Sequence, residues 1–371
     1  MSVKLAVDLL WVRPKKVGGI ESYVRNILDG FSSIEDSFEF WLMVSKDNKD
    51  TFVHYEKDER FHIYVCNINS ENVSKRIIWQ NLHLGKEIKK LGLKVCFEPY
   101  YCKPILGTHG IDFITTIHDL QALHYPEYFS KGKVLWMKFS WWNAIRTSKR
   151  IVAISNYVKN DIIEKYKVDS NKIEVIYNAI SINQEEVQSQ SYIENKYGVE
   201  PDGYYFTVSS LLPHKNIETL IKVFYEIKKS GIDLPCNLIV SGVGGKSRCE
   251  LEKLIKENGL SENVQLTGFI DDSERNALYK FCKAFLFPSV FEGFGMPPVE
   301  AMEMGVPVVT TKMTSIMEVT EGKANYVEDP YNQYEWIEKM QPAIKSEFDG
   351  SRYQISYIAK QYADLMSSYE S

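Results

Sequence analysis

The chain has 371 residues, whereas one domain typically uses roughly 100–200, so we expect two domains of similar size. Its 44 % hydrophobic and 25 % charged residues exclude a disordered chain, and no apolar run approaches the roughly 18 residues of a membrane-spanning helix. A formal net charge of −5 argues against nucleic-acid binding. Residues 1–180 carry +5 and the remainder −10, which favours an anionic partner for the first half. The alternative explanation of this charge difference is evolutionary drift among solvent-exposed charged residues.

In chain order, the first half alternates short β-rich runs with helix-period segments. Helices are predicted at 20–31 and 136–147. The runs are mostly apolar and β-branched, which is typical of strands buried on both faces of a parallel sheet. These seven predicted strands are 4–10, 38–44, 62–66, 93–97, 113–117, 150–154 and 172–176.

The second half repeats the alternation, and two βαβα series predict two doubly wound, Rossmann-like α/β domains. Such domains would bind ligands at the carboxyl ends of their sheets, facing one another across a cleft. The predicted strands are 204–208, 237–240, 264–266, 285–287 and 307–310, and the predicted helices are 217–229, 249–257, 273–281, 298–304, 331–345 and 352–369.

The regular alternation is lost after residue 176, where a polar stretch follows. Its composition predicts a linker at 181–195, which we expect to act as a hinge. The predicted domains are therefore residues 1–180 and 196–350, followed by a C-terminal helix within 351–371 that we expect to pack back toward the first domain.

Three short motifs follow predicted strands and are weak when taken singly. Gly18-Gly19 opens a helix, where glycine lets backbone amides approach a phosphate, although a tight turn explains the pair equally simply. His118 follows a strand and could donate a hydrogen bond to a sugar hydroxyl, or it could be structural. Lys215 precedes a helix and suits a diphosphate, or it could be a solvated lysine.

The stretch from residue 287 to 302 is more specific because a strand, a glycine-rich turn and a helix follow in order. Glu292 falls in the turn and Glu300 on the helix, eight residues later. The amides of Phe294, Gly295 and Met296 would point at a ligand. Amides for phosphate and carboxylates for hydroxyls together suit a diphosphate that carries hydroxyl-rich groups. A capping carboxylate beside an unrelated surface glutamate is the alternative.

At this point the sequence resembles the family 4 retaining glycosyltransferases, which have the GT-B fold. The resemblance is carried by Glu292-x7-Glu300, by Gly293–Met296 between them and by Gly18-Gly19, His118-Asp119 and Lys215-Asn216 in the family's order. It covers roughly residues 4 to 330. It implies an N-terminal acceptor-binding domain and a C-terminal nucleotide-sugar-binding domain, with no cofactor besides the donor.

Roles for individual residues are carried over from the resemblance. It implies that His118, Lys215 and Glu292 are catalytic: His118 reaches the donor sugar, Lys215 stabilises the departing diphosphate, and Glu292 holds sugar hydroxyls. Glu300 would bind the ribose. The family often has arginine where this chain has Ser210, so the diphosphate loses one cation. The implied donor-binding residues are Gly18, Gly19, Ser210, Gly268, Phe269, Phe294, Gly295, Met296 and Glu300.

Glycosyltransferases of the GT-A fold use a metal ion that is held by an Asp-x-Asp motif, and no such motif is placed in this chain. Asp271-Asp272 is instead predicted to cap a helix. The resemblance therefore implies a metal-free hexosyl transfer from a nucleotide sugar to a saccharide acceptor in polysaccharide or O-antigen synthesis. A nucleotide-sugar epimerase of the same fold is the alternative enzyme. A non-catalytic sugar-binding protein is disfavoured by the complete set of polar residues.

The first half also carries an aromatic helix with a basic fringe. Within residues 134–146, Val134, Met137, Trp141 and Ile145 form the stripe expected to pack on the sheet, and Trp136 and Phe139 fall on another face. Aromatic groups among lysines suit an anionic membrane, although a helix packed on both faces is the alternative. We therefore expect a cytoplasmic protein, peripheral at the inner face of the membrane, with a lipid-linked acceptor.

Overall fold

The computed structural model describes residues 3–13, 18–35, 37–244 and 246–369. The chain divides into two compact units. The first unit is discontinuous: it contains the chain up to Ala179 and the chain from Ser351 onward. The second unit is Ile180–Gly350.

The first unit is built on a parallel sheet in the order β3-β2-β1-β4-β5-β6-β7. Its strands are short and mostly apolar, and the central strands are buried on both faces of the sheet, whereas the edge strand β3 is only half-buried. Because β4 returns to the far side of β1, the strand order reverses between these two strands. The bounds are β1 Val3–Asp8, β2 Phe38–Val44, β3 Phe61–Val65, β4 Val95–Glu98, β5 Asp112–Ile117, β6 Arg150–Ala153 and β7 Ile173–Val175.

Helices cover both faces of this sheet, as a doubly wound fold requires. A π-helical turn, Gln80–Leu84, joins the second helix to the third. The helices are α1 Gly19–Ser33, α2 Val73–Trp79, α3 Gly85–Lys90, α4 Gln121–His124, α5 Lys131–Thr147 and α6 Asn156–Tyr166.

The second unit has a parallel sheet in the order β10-β9-β8-β11-β12-β13, which reverses between β8 and β11. Neighbouring strand residues point to opposite faces: Tyr205 packs with Leu220 and Phe224 on one side, and Phe206 packs with Tyr279 on the other. The strands are β8 Tyr205–Val208, β9 Leu238–Ser241, β10 Val264–Gly268, β11 Ala284–Phe287, β12 Val308–Thr311 and β13 Asn325–Val327. The helices are α7 Gln190–Tyr197, α8 Ile217–Ser230, α9 Lys246–Glu257, α10 Asp272–Phe281, α11 Met296–Glu303, α12 Ile316–Val319 and α13 Gln333–Met340.

The last helix, α14 Ile355–Ser367, packs on α1 within the first unit. The Tyr23 hydroxyl lies 2.5 Å from that of Tyr362 and 2.8 Å from Oγ1 of Thr116. A Cβ added at Gly30 would lie 2.8 Å from Cβ of Ala359, so glycine permits this close approach. These contacts join the two separate chain segments of the unit.

Every strand predicted from the sequence is present, and the predicted helix cap is confirmed because Asp271 Oδ1 accepts the Glu274 amide at 2.8 Å. The sequence missed the three-residue β13 and helices α2, α3, α4, α6, α7 and α12. The predicted linker also differs from the structure. Its second part forms α7, and its first part is held by Asn276, whose side chain donates to the carbonyls of Asn183 and Glu186. This segment therefore belongs to the second unit.

Candidate functional site

In the second unit, an ion pair lies where the strand order reverses. Lys215 follows β8 and Glu292 follows β11, and these two strands are neighbours in the sheet. Nζ of Lys215 lies 2.6 Å from Oε1 of Glu292. The Lys215 side chain is 20 % exposed to solvent, and the Glu292 side chain is 13 % exposed. Ligands of doubly wound sheets bind at this position. The structure therefore brings two of the predicted catalytic residues together at an accessible edge.

A short turn between β8 and α8 positions Lys215. Pro213–Lys215 form one turn of 3₁₀ helix, and Asn216 then takes a left-handed conformation with φ of 53°. The Asn216 side chain donates to the Pro330 carbonyl at 2.9 Å and accepts from Thr219 at 2.7 Å, which stabilises that conformation. Burial lowers the pKa of the adjacent His214 to about 4, so its imidazole is neutral and Lys215 carries the positive charge of this turn.

The loop after β12 holds the backbone around Glu292 through hydrogen bonds. Thr314 accepts the Glu292 amide at 3.0 Å, and the buried Ser315 hydroxyl lies 2.9 Å from the carbonyls of both Glu292 and Phe294. Gly295 has φ of 92°, which only glycine adopts without strain, and α11 begins at the next residue, Met296. The predicted succession of strand, glycine turn and helix is therefore the one observed.

Glu300 is held by α10 rather than by its own helix. The buried Tyr279 hydroxyl donates to Oε2 of Glu300 at 3.0 Å. Burial and the Glu300 carboxylate raise the pKa of Tyr279 far above its ordinary value, so Tyr279 stays a donor. Although burial favours neutral Arg275, the same carboxylate keeps the pKa of Arg275 above its ordinary value. Sequence reasoning missed both residues; their i, i+4 spacing on α10 was the available signal.

The ends of β8, β9 and β10 are joined by backbone hydrogen bonds. The Ser209 amide donates to the Ser241 carbonyl at 3.0 Å, and the Gly242 amide donates to the Gly268 carbonyl at 2.7 Å. Phe269 follows and is 84 % exposed, which leaves its ring available for stacking. Ser210 is exposed in the loop after β8 and adds no positive charge there.

In the first unit, His118 follows β5 and is buried. Burial lowers the pKa of His118 to about 4, so the imidazole is neutral. Nε2 lies 2.9 Å from the Pro99 carbonyl, which can only accept, so Nε2 carries the proton and Nδ1 is an acceptor. The Tyr23 ring packs edge-on against the imidazole at 4.7 Å. The geometry revises the expected role, because this tautomer would accept a hydrogen bond from a hydroxyl rather than donate one.

The predicted glycine pair lies at the start of α1. Gly18 has φ of 66°, a conformation that glycine adopts freely, and the first helical residue is Gly19. Both are exposed. The preceding residues 14–17 lie outside the described part of the chain, so the structure gives the helix start and not the whole glycine loop.

The reversal point of the first sheet holds a carboxyl pair that the sequence analysis did not single out. Asp8 ends β1 and Glu98 ends β4, and both are fully buried. Asp8 accepts the Leu10 amide at 3.0 Å and the Gln80 amide group at 2.7 Å. Burial and the Asp8 carboxylate raise the pKa of Glu98 well above its ordinary value, so Glu98 carries the proton of the pair. A carboxylate at the end of an apolar strand was the available signal.

Two doubly wound parallel α/β units in one chain are the architecture of the GT-B fold, and charged residues lie at the reversal point of the second sheet. Among the residues that the structure describes, no helix is long and apolar enough to cross a membrane.

Two family models match successive parts of the chain. The Glycosyltransferase Family 4 model covers residues 17–184, and the Glycosyl transferases group 1 model covers residues 190–362. The O-antigen chain mannosyltransferase RfbU of Salmonella typhimurium is 32 % identical over 286 residues, which are 76 % of this chain and 74 % of the relative. O-antigen chain mannosyltransferase B of Escherichia coli is 30 % identical over 220 residues, or 58 % and 57 %.

Solved structures show the same fold. The Anabaena protein HepE in complex with UDP-glucose has a TM-score of 0.73 at 20 % identity, with 98 % of this chain and 99 % of that chain covered. WaaG, a glycosyltransferase involved in lipopolysaccharide biosynthesis, has a TM-score of 0.67 at 15 % identity, with 97 % and 95 % covered. The chain belongs to family 4 of the glycosyltransferases, and these matches support that enzyme class over the epimerase alternative.

Proposed function

We propose that this glycosyltransferase moves a hexose from a nucleoside-diphosphate sugar to a saccharide acceptor, with retention of the anomeric configuration. The observation that carries the proposal is the contact of Lys215 with Glu292 at the reversal point of the second sheet. An ammonium group there can neutralise a diphosphate, and a carboxylate beside it can accept hydrogen bonds from sugar hydroxyls.

The proposed chemistry follows from where charge develops. The bond between the anomeric carbon and the diphosphate oxygen breaks, and the acceptor hydroxyl oxygen bonds to that carbon from the same side. The released diphosphate takes the hydroxyl proton, so no protein nucleophile is needed. Lys215 stabilises the negative charge of the leaving group in an already oriented position, which is the main contribution that such a site can make.

We further propose that the sugar is mannose and that the product is a surface polysaccharide of the O-antigen type. This assignment is supported by the relatives RfbU and mannosyltransferase B, which are O-antigen chain mannosyltransferases. A lipid-linked saccharide is the proposed acceptor, and the protein would meet it at the cytoplasmic face of a membrane.

For the donor, the predicted contacts of the second unit include Lys215, Glu292 and Glu300, together with the loops after β8 and β10 that contain Ser210 and Phe269. We propose that Glu300 binds the ribose while Tyr279 holds its carboxylate in place. Exposed Phe269 would stack on the base. In the first unit, Gly18, Gly19 and His118 stay predicted donor contacts. No metal or cofactor besides the donor is proposed, since Lys215 supplies the cation.

The proposal is tested by incubating the purified protein with GDP-mannose, UDP-glucose and other nucleotide sugars, with and without a saccharide acceptor. We expect nucleoside diphosphate to be released with acceptor present, and the anomeric signals of the product to match the donor's α configuration. A product of inverted configuration would overturn retention. Turnover that EDTA abolishes and Mg²⁺ restores would overturn the metal-free assignment.

A further inference from the structure

Three neighbouring segments of the first unit expose large apolar side chains. On α5, Leu135, Phe139 and Trp142 have the i, i+4, i+7 spacing of one helix face. The exposed fractions across the three segments run from 39 % to 70 %. We define the apolar surface by its seven residues: Ile78 and Leu82 beside the π turn, Ile105 and Leu106 in the loop after β4, and Leu135, Phe139 and Trp142.

Hydrogen bonds keep the three segments side by side. The Ile105 amide donates to Oδ1 of Asn81 at 2.8 Å, which fixes the loop against the helix that carries Leu82. On its other side, the buried Asn143 side chain donates to the Lys103 carbonyl at 3.1 Å, which fixes the loop against α5. The loop thus lies between the two helical segments, and the apolar surface extends over all three.

The structure revises the aromatic face expected from the sequence. Met137, Trp141 and Ile145 are buried, as the predicted inner stripe requires, but Val134 is only half-buried. Trp136 is half-buried with its ring 6.2 Å from that of Phe139, whereas Phe139 stacks on Trp142 at 6.0 Å and both are exposed. The outward stripe therefore contains Leu135 and Trp142 rather than Trp136.

The charged side chains on the α5 segment of this surface have one sign. Residues 131–149 contain no acidic side chain. Soluble proteins rarely expose a continuous apolar surface of this kind without a partner, and aromatic groups with a basic fringe suit the interface of an anionic bilayer. The basic residues in this range are Lys131, Lys133, Lys138, Arg146 and Lys149.

We propose that the apolar surface docks the protein on a bilayer that contains anionic phospholipid. A symmetric pair of chains would bring the same cations face to face, which disfavours self-association as the occupant. An anionic bilayer supplies both an apolar interior and opposite charge. The purpose of docking rests on the proposed function, because it would bring the enzyme to a lipid-linked acceptor. The docking itself does not depend on the transferase activity.

Vesicle flotation without any sugar substrate tests the surface. We expect binding to vesicles of phosphatidylcholine and phosphatidylglycerol, reduced binding in high salt, and little binding to phosphatidylcholine alone. Phe139→Gln/Trp142→Gln should lower the bound fraction about tenfold, because two exposed apolar anchors are lost. Leu82→Gln/Leu106→Gln should lower it as well, which tests the surface through other segments.

The matched control is Tyr331→Gln/Tyr334→Gln, which removes two even more exposed aromatic side chains from the second unit and should bind like the parent. Failure of the parent to bind either vesicle would overturn the proposal, and so would an equal loss in the control. A concentration-dependent dimer that Phe139→Gln/Trp142→Gln dissociates would assign the surface to a second copy instead. Turnover with a water-soluble acceptor should be the same in all variants, so failure of docking is separate from failure of the transferase.

Discussion

The two sheets reverse their strand order at equivalent places, and the two places hold opposite kinds of polar chemistry. In the first unit, Asp8 and Glu98 are fully buried, burial raises the pKa of both carboxyl groups, and Asp8 accepts a hydrogen bond from the Gln80 side chain. In the second unit, Lys215 and Glu292 form an ion pair that solvent reaches. The same topological position is therefore buried in one sheet and reached by solvent in the other.

The difference shows why topology alone does not locate a binding site. A doubly wound sheet offers a crevice at each reversal point, but the crevice is useful only where the local side chains remain accessible and charged. The pair Lys215–Glu292 meets that condition, and the fully buried pair Asp8–Glu98 does not. This contrast supports the proposal that the donor diphosphate binds at the second sheet.

The largest expected effect comes from removing the cation at the second reversal point. Lys215→Ala should lower kcat by roughly 100- to 1,000-fold, because charge on the departing diphosphate loses its stabilising partner. Steady-state turnover and circular dichroism would be measured together. The control Lys323→Ala removes a lysine that pairs with Glu321 at 2.9 Å before β13, and it should turn over like the parent. Full activity in a folded Lys215→Ala protein would contradict the proposal that Lys215 stabilises the departing diphosphate at the second reversal point.

The comparison can be sharpened by adding a second cation to the accessible site. Ser210→Arg places a guanidinium in the loop after β8, and it should lower the KM for the donor by roughly tenfold through charge-assisted hydrogen bonds. Initial rates at varied donor concentration would measure this change. Ser210→Gln supplies length without charge and should leave KM unchanged; an equal improvement in both variants would show that charge is not the cause.

A smaller effect is expected from the group that orients Glu300. Tyr279→Phe deletes the hydroxyl that donates to Glu300, so the KM for the donor should rise about fivefold while kcat changes little, in keeping with one hydrogen bond of about 1 kcal/mol. Tyr204→Phe is the matched control, since that buried hydroxyl donates to the Leu278 carbonyl instead. A change confined to kcat would contradict the positioning role.

The smallest effect concerns the closed reversal point. The pKa of Glu98 is raised by burial and by Asp8, so the folded protein holds a proton that the unfolded chain releases above its ordinary pKa. Stability should therefore fall as pH rises from about 5 to 8. Glu98→Gln, which mimics the protonated acid, should flatten this dependence and raise the Tm by a few degrees at pH 8 but not at pH 5. An unchanged slope in thermal denaturation would show that Glu98 is not the protonated group.

Strand positions could be predicted because each strand is a short apolar run bounded by polar residues, as in β2 and β11. β13 escaped prediction because Asn325–Val327 is three residues long and depends on its pairing with β12. The linker was misjudged because its polar residues are held by hydrogen bonds to α10 that composition does not show. Glu292 and Lys215 could be predicted from their places after strands, whereas the contact of Tyr279 with Glu300 arises only when α10 packs beside α11.

The most direct test of the central assignment is calorimetric titration with the nucleoside diphosphate that a thermal-shift screen selects. The parent protein, Lys323→Ala and Glu98→Gln should bind it with equal Kd. Lys215→Ala should bind it at least about tenfold more weakly, because an ammonium beside a diphosphate contributes more than an uncharged contact. Unchanged binding in Lys215→Ala, or a comparable loss in Glu98→Gln, would contradict the assignment of the diphosphate to the second sheet.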